Sequence, residues 1–114
     1  MTKHKVVLVQ SLFDDLSAAK VRPAVCLTKP IGPHQHLIVA FVTSRIPARP
    51  LESDLLIESS DADFAATGLR VSSTLRLHRL MTVTADLLSR ELGALSPAMQ
   101  AQVQERLRVV FELG

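Results

Sequence analysis

Hydrophobic positions come in short unbroken runs through the first half of the chain and at helical spacing only near its end. Lys5 to Gln10 is rich in valine and reads as a first strand. Val21 to Thr28 reads as a second, with Pro23 near its start, where a missing N–H donor is best tolerated. Between them, Phe13 to Lys20 carries the Asp and Ser residues of a loop. Lys29-Pro30-Ile31-Gly32-Pro33 marks a turn, and His36 to Thr43 follows as a third strand. Its run Leu37-Ile38-Val39-Ala40-Phe41-Val42 has no polar alternation. That pattern predicts burial on both faces, as in the central strand of a closed or strongly curled sheet.

Arg45 to Pro50 is a loop holding two prolines and two arginines, and Asp54 to Glu58 reads as a short strand. Asp61 to Ala66 fits one helical turn, capped by Ser60 or Asp61 and ended by Thr67-Gly68. Val71 to Leu77 alternates, with Val71, Ser73, Leu75 and Leu77 on one face and Ser72, Thr74, Arg76 and His78 on the other. Arg76 and His78 therefore share the polar side. Leu80 to Thr84 reads as a further strand after a bend, and Ala85 to Leu92 as a short helix stopped by Gly93. Ser96-Pro97 opens a longer helix, with a capping hydroxyl and a proline at the first helical position. Met99, Val103, Leu107, Val110 and Phe111 mark one face of it. Five or six short strands followed by a terminal helix predict a mainly β fold, a small and strongly bent barrel with helical decoration. The strands lie too close together for the helical crossovers of a βαβ fold.

Composition narrows the function classes. At 114 residues the chain fits one domain, 1–114, burying ~65% of the surface its unfolded form exposes. A hydrophobic content of 47% argues against disorder. Four Phe and no Trp or Tyr argue against an aromatic base-stacking platform. A formal charge of +2 is compatible with a nucleic-acid partner but far from that of a nonspecific DNA binder. Cys26 is the one cysteine, so neither an internal disulfide nor a cysteine metal site is expected, and a reducing cytoplasm is the natural compartment. Between Val25 and Leu27 it reads as a buried, inert thiol. The apolar run Val6 to Val9 is too short for a signal peptide, and no stretch approaches the ~20 apolar residues of a membrane span. His34 and His36 flank Gln35 in a turn without a Cys or acidic neighbour to complete a zinc site, so they read as surface residues. No metal or other cofactor is expected.

One step along the chain points to chemistry. Arg22-Pro23 stands at a loop–strand junction, where the strand that follows cannot readily bury the guanidinium. A planar, permanently charged group with five donors in that place can grip a phosphate at two points.

Arg22-Pro23 also belongs to an ordered set of segments spanning nearly the whole chain. The first is Val6-Val7-Leu8-Val9, then Phe13-Asp14-Asp15-Leu16-Ser17 and Lys20-Val21-Arg22-Pro23-Ala24-Val25. The second is Ala40-Phe41-Val42-Thr43-Ser44. The third is Thr67-Gly68-Leu69-Arg70, Ser73-Thr74-Leu75-Arg76-Leu77 and Leu92-Gly93-Ala94-Leu95-Ser96. The set resembles the MazF/PemK family, the endoribonucleases of bacterial toxin–antitoxin pairs. The resemblance implies an SH3-like barrel, a homodimer, a cognate antitoxin partner and metal-independent cleavage of single-stranded RNA. It puts Arg22 and Thr43 at the centre of the active site, with Arg76 as a second arginine that helps catalysis in some members. Two departures stand out. His78 occupies the position where Kid-type members carry a general-base aspartate, and His4-Lys5 replaces the usual glycine-aspartate opening.

Metal-free RNA cleavage needs a base for the ribose 2′-hydroxyl, cations for the phosphorane charge and an acid for the departing 5′-oxygen. Arg22 and Arg76 can stabilise charge on the non-bridging oxygens, and Thr43 can donate to a phosphate oxygen and fix the scissile group in line. His78, with an ordinary pKa of ~6.5, is the candidate proton carrier. Arg45 and Arg49 are placed to steer an RNA backbone by charge, and Lys20, Ser44 and Ser73 flank the same motifs as further RNA contacts. Two alternatives stay open. One is a CcdB-like module that poisons DNA gyrase by contact, with its weight on the terminal helix. The other is a homologue that docks an antitoxin but no longer cuts, prompted by His78.

Overall fold

In the computed structural model, which describes residues 3–11 and 20–114, the valine-rich runs become the middle of one antiparallel sheet. Its strands are β1 (Lys5–Ser11), β2 (Lys20–Cys26), β3 (His36–Thr43), β4 (Asp54–Ile57), β5 (Ser73–Thr84) and β6 (Leu88–Ala94). Two helices, α1 (Phe64–Thr67) and α2 (Pro97–Val110), interrupt and follow them. The strand order is β4-β5-β3-β2-β1-β6, antiparallel throughout. β4 and β6 do not pair with each other, so the sheet is strongly bent but not closed. The expected loop from Phe13 lies, up to Ala19, outside the described residues.

β3 sits between β2 and β5 and is buried on both faces, as its unbroken apolar run predicts. Ala40 and Val42 join one cluster with Val6, Val25, Leu55, Ile57, Leu75 and Leu77. Leu37 and Val39 join another with Val7, Val9, Ala24, Cys26 and Val83. Each fully buried Val or Leu contributes about 1.5–3 kcal/mol. Burial also pushes the Cys26 thiol up, so little thiolate forms near neutral pH.

α2 covers the first cluster. The Ser96 side chain accepts from the N–H of Met99 at 3.2 Å, Pro97 occupies the first turn, and Met99 and Val103 are buried with Leu107 packed beside them. Farther along the predicted stripe, Phe111 is 55% exposed.

Three expectations need correction. Ala85 to Leu92 is not a helix: one 3₁₀ turn at Ala85–Leu87 gives way to β6, which pairs with β1 from Val9↔Leu88 to Lys5↔Ala94. Pairing with a buried valine strand outweighs the local helical preference of Leu-Leu-Ser-Arg-Glu-Leu. The helical turn after Ser60 starts only at Phe64. Neither Ser60 nor Asp61 caps it; the Asp61 carboxylate instead accepts from Asp63 N–H at 2.8 Å in a local turn. Val71–Leu77 and Leu80–Thr84 are one strand rather than two. Val71 lies outside it, and Thr74, expected on the polar face, is fully buried.

Gly93 does not end a helix, and its role is close approach. A side chain there would collide with the backbone of Ala66 and Thr67, while one on Gly68, at φ 75°, would collide with Leu92. The end of α1 thus lies directly on β6. Gly93→Ala should destabilise the protein by about 3 kcal/mol or more, because rigid backbone faces the added methyl. Denaturant unfolding checks this, and a midpoint like that of the wild type would contradict the packing.

Candidate active site

The site arises where the sheet's regularity breaks. The β2–β3 ladder ends at Ala24↔Phe41, next to Pro23, which has no N–H to continue a ladder. Two residues beyond the last pair, the same register would set Arg22 across from Thr43, and both line the cleft that opens there. On the other side of β3, pairing jumps from Ala40↔Leu80 to Val42↔Leu75, so β5 bulges opposite Phe41. The side chains record the bulge: Leu75 and Leu77 enter the first core cluster and Leu80 packs on it too, a spacing of three instead of two. Arg76, His78 and Arg79 lie within or beside this irregular stretch.

A cleft of about 540 Å³ opens there, and four arginines line it: Arg22, Arg45, Arg76 and Arg79. Phe41, Val42, Thr43, Ile46 and Pro47 complete the lining, with no carboxylate among these residues. A second cleft of about 450 Å³ shares Arg22, Val42 and Thr43 with the first. It continues past Ser44, Leu69, Arg70, Val71, Ser73, Arg90 and Leu92. Arg22 and Thr43 therefore stand on the boundary between a strongly basic hollow and a more apolar one.

Local hydrogen bonds fix several of these groups. Thr43 Oγ1 accepts from the N–H of Arg45 at 3.2 Å, which leaves the hydroxyl proton to donate elsewhere. Buried Thr74 donates its hydroxyl to the carbonyl of Arg45 at 2.9 Å. Arg45 is thus held on both sides of its own backbone, by threonines on two strands.

Arg76 reaches back to β4. Its Nε donates to Asp54 Oδ1 at 2.9 Å and its Nη2 to Oδ2 at 3.3 Å, the two-point geometry suited to a carboxylate. The Asp54 side chain has no solvent exposure, and Oδ2 also accepts from the N–H of Leu51 at 2.9 Å. The neighbouring residue, Ser53, places its Oγ 2.6 Å from Nδ1 of His78. Ser53, just before β4, and Asp54, its first residue, therefore hold the two β5 side chains that the sequence pairs.

Of the expected catalytic residues, the structure brings Arg22, Thr43 and Arg76 to one cleft. It does not bring His78 there: the ring is exposed, held by Ser53, and absent from the lining of either cleft. Among the expected RNA contacts, Arg45 lines the first cleft and Ser44 and Ser73 the second, with the Ser73 hydroxyl donating to Val71 O. Arg49 is exposed and lines neither, and Lys20 pairs with Ser11 at the end of β2. Sequence reasoning missed Arg79 and Asp54. Strict alternation puts Arg79 opposite Arg76, and only the bulge turns both to the cleft. Asp54 carries a readable signal, an acidic residue opening an otherwise apolar strand, but its partner depends on register. His34 and His36 have ring centroids 5.9 Å apart, and no group of three or more metal-ligating side chains occurs among the described residues.

Burial alone would raise the pKa of Asp54. The Leu51 N–H, the hydrogen bonds and charge of Arg76 and the charge of His78 outweigh it and hold the carboxyl below its usual value. The unfolded chain therefore takes up a proton before the native one does. This stabilisation is complete above the unfolded value of ~3.9 and is lost as pH falls through the lower folded value. Unfolding measured from pH 6 to pH 2 should show the wild type losing stability below ~pH 4, and Asp54→Asn should flatten that decline. An identical slope in both proteins would contradict the assignment.

The family model described as "PemK-like, MazF-like toxin of type II toxin-antitoxin system" matches residues 5–111. No curated protein matches in sequence. Among solved structures, Mycobacterium tuberculosis toxin MazF-mt6 superposes with a TM-score of 0.74 at 22% identity, covering 96% of this chain and 98% of that one. An endoribonuclease in complex with its cognate antitoxin, from a mycobacterial species, gives 0.72 at 14% identity, over 100% and 97%. The MazE-MazF structure from Deinococcus radiodurans gives 0.73 at 13%, over 100% and 97%. At these identities the superpositions establish a shared fold. Together with the model spanning nearly the whole sequence, they lead to one conclusion: the chain belongs to the PemK/MazF family of type II toxin–antitoxin toxins.

Proposed function

We propose that this chain is a sequence-selective endoribonuclease that cleaves single-stranded RNA such as mRNA without a metal ion. It acts in the cytoplasm as a homodimer and is restrained by a cognate antitoxin. The observation that carries this reading is the cleft lined by four arginines and Thr43, with Arg22 and Thr43 on its border with a second hollow. An arginine-rich recess of that size suits a phosphodiester backbone, and the adjoining hollow, with its leucines and further arginines, suits a flanking nucleotide.

In the proposed reaction the substrate supplies its own nucleophile. The ribose 2′-hydroxyl gives up its proton to solvent as its oxygen attacks the adjacent phosphorus. The bond from phosphorus to the 5′-oxygen breaks and that oxygen takes a proton from solvent, so a 2′,3′-cyclic phosphate and a 5′-hydroxyl result. Arg22 and Arg76 take the charge that builds on the non-bridging oxygens. Thr43, its lone pair engaged by Arg45 N–H, donates its hydroxyl proton to one of those oxygens and fixes the phosphate for in-line attack. Arg45 and Arg79 hold the strand through its charge. His78 was the sequence candidate for proton transfer; outside the cleft lining it is not needed for this charge stabilisation. Antitoxin pairing draws support from two solved structures of the same fold, titled as an endoribonuclease with its cognate antitoxin and as MazE-MazF. No helix among the described residues is long and apolar enough to cross a membrane.

Purified protein incubated with mixed-sequence single-stranded RNA in chelator should cut it at a restricted set of sites. Arg22→Ala should lower the rate about 10²–10³-fold. Equal cutting by wild type and Arg22→Ala would refute this assignment. Arg79→Ala should weaken RNA binding across sequences and make its salt dependence shallower by ~0.7 in slope, read by titration at several salt concentrations. An unchanged slope would remove Arg79 from the RNA path.

A further inference from the structure

We propose that Asp54 is a positioning residue for the cleavage reaction, acting through Arg76 and never touching RNA. The proposal rests on the endoribonuclease reading and adds to it a buried carboxylate that sets the aim of a cleft arginine. Asp54 opens β4, the edge strand, in register with Arg76. Its side chain is fully buried, yet it lies directly behind a guanidinium that lines the cleft. Burying a carboxylate there is costly unless donors replace its lost hydration, and both oxygens have them: Arg76 Nε on Oδ1, and Arg76 Nη2 and the Leu51 N–H on Oδ2. The Asp54 backbone is fixed too, because its carbonyl accepts from Arg106 Nε of α2 at 2.9 Å.

The consequence for Arg76 follows from its donor count. A guanidinium has five N–H bonds in a rigid plane, and Asp54 takes two of them along one edge. Three remain, and the plane that carries them is set by the carboxylate. A long side chain beside a strand bulge would otherwise sample many rotamers, and a displacement of about 1 Å costs on the order of 10²-fold in rate. The pair also has an electrostatic consequence. Asp54 offsets the charge of Arg76, so RNA attraction falls mainly to the other cleft arginines, while Arg76 provides directed donors.

These two consequences separate positioning from general structural support. Asp54→Asn keeps the shape of the side chain but removes its charge. It should lower kcat about 10–100-fold while RNA binds at least as tightly as to the wild type, with a salt slope steeper by up to ~0.7. Binding is measured on an uncleavable strand with 2′-deoxy substitutions, and thermal melting confirms folding. In an Arg76→Ala background, Asp54→Asn should cost nothing further in kcat. A folded Asp54→Asn with kcat within twofold of wild type overturns the proposal. So does a parallel loss of kcat and affinity, or an additive loss in the Arg76→Ala background. If Asp54→Asn does not fold, Arg76→Lys decides. It keeps the charge but lacks the two-point fork, and should lose as much kcat as Arg76→Ala; wild-type turnover by Arg76→Lys would overturn the proposal. A wild type that does not cut RNA removes the endoribonuclease reading, whereas an active wild type with an equally active Asp54→Asn removes the role of Asp54 alone.

Discussion

A carboxylate cut off from water stays charged only where protein donors replace the hydration it has lost. At Asp54 those donors are Arg76 and Leu51, and the arrangement reaches well beyond one ion pair. Through its register it ties edge strand β4 to β5, and through Arg106 it ties β4 to the terminal helix that covers the first core cluster. It also fixes one wall of the arginine cleft. The exposed pair Lys5–Glu91, at 3.4 Å, is of a different kind, since water screens it and both chains must be ordered to make it. Breaking the buried contact would strand a charge without solvent.

The cleft opens where the antiparallel sheet is interrupted on both sides of β3, a strand buried on both faces. Pro23 stands where the β2–β3 ladder stops, and the β5 bulge opposite Phe41 shifts the strand's inward and outward alternation. The hydrophobic strand between them is what allows both departures. With β3 buried on both faces, its own alternation holds while its neighbours diverge from it at one end. The two threonine hydroxyls that grip the backbone of Arg45 then anchor the loop crossing that opening.

What could be read from the chain follows the same division. β3 was legible from its unbroken apolar run, and α2 from Ser96-Pro97 and the spacing of Met99 and Val103, because both signals are local. β6 was not, since a segment of good helix formers becomes a strand only when β1 offers it an edge. Arg22, Thr43 and Arg76 were within reach of motif and resemblance. Arg79 was not, because its direction depends on a bulge that shows only in the pairing of β3 with β5. His78 shows the converse. Alternation paired it with Arg76, but Ser53 and Asp54 hold the two side chains separately, and His78 is not among the cleft residues.

The PemK/MazF family match spans residues 5–111, and the arginine cleft lies within that span, with Arg22 and Thr43 on its border with the second hollow. The most direct test of their meaning is a crystal structure of the protein with a short RNA whose scissile ribose lacks its 2′-hydroxyl. The scissile phosphate should lie within hydrogen-bond distance of Arg22 and Thr43, with the free N–H groups of Arg76 turned toward it and Asp54 still behind them. RNA bound on another face, with the arginine cleft empty, would contradict the assignment of this site.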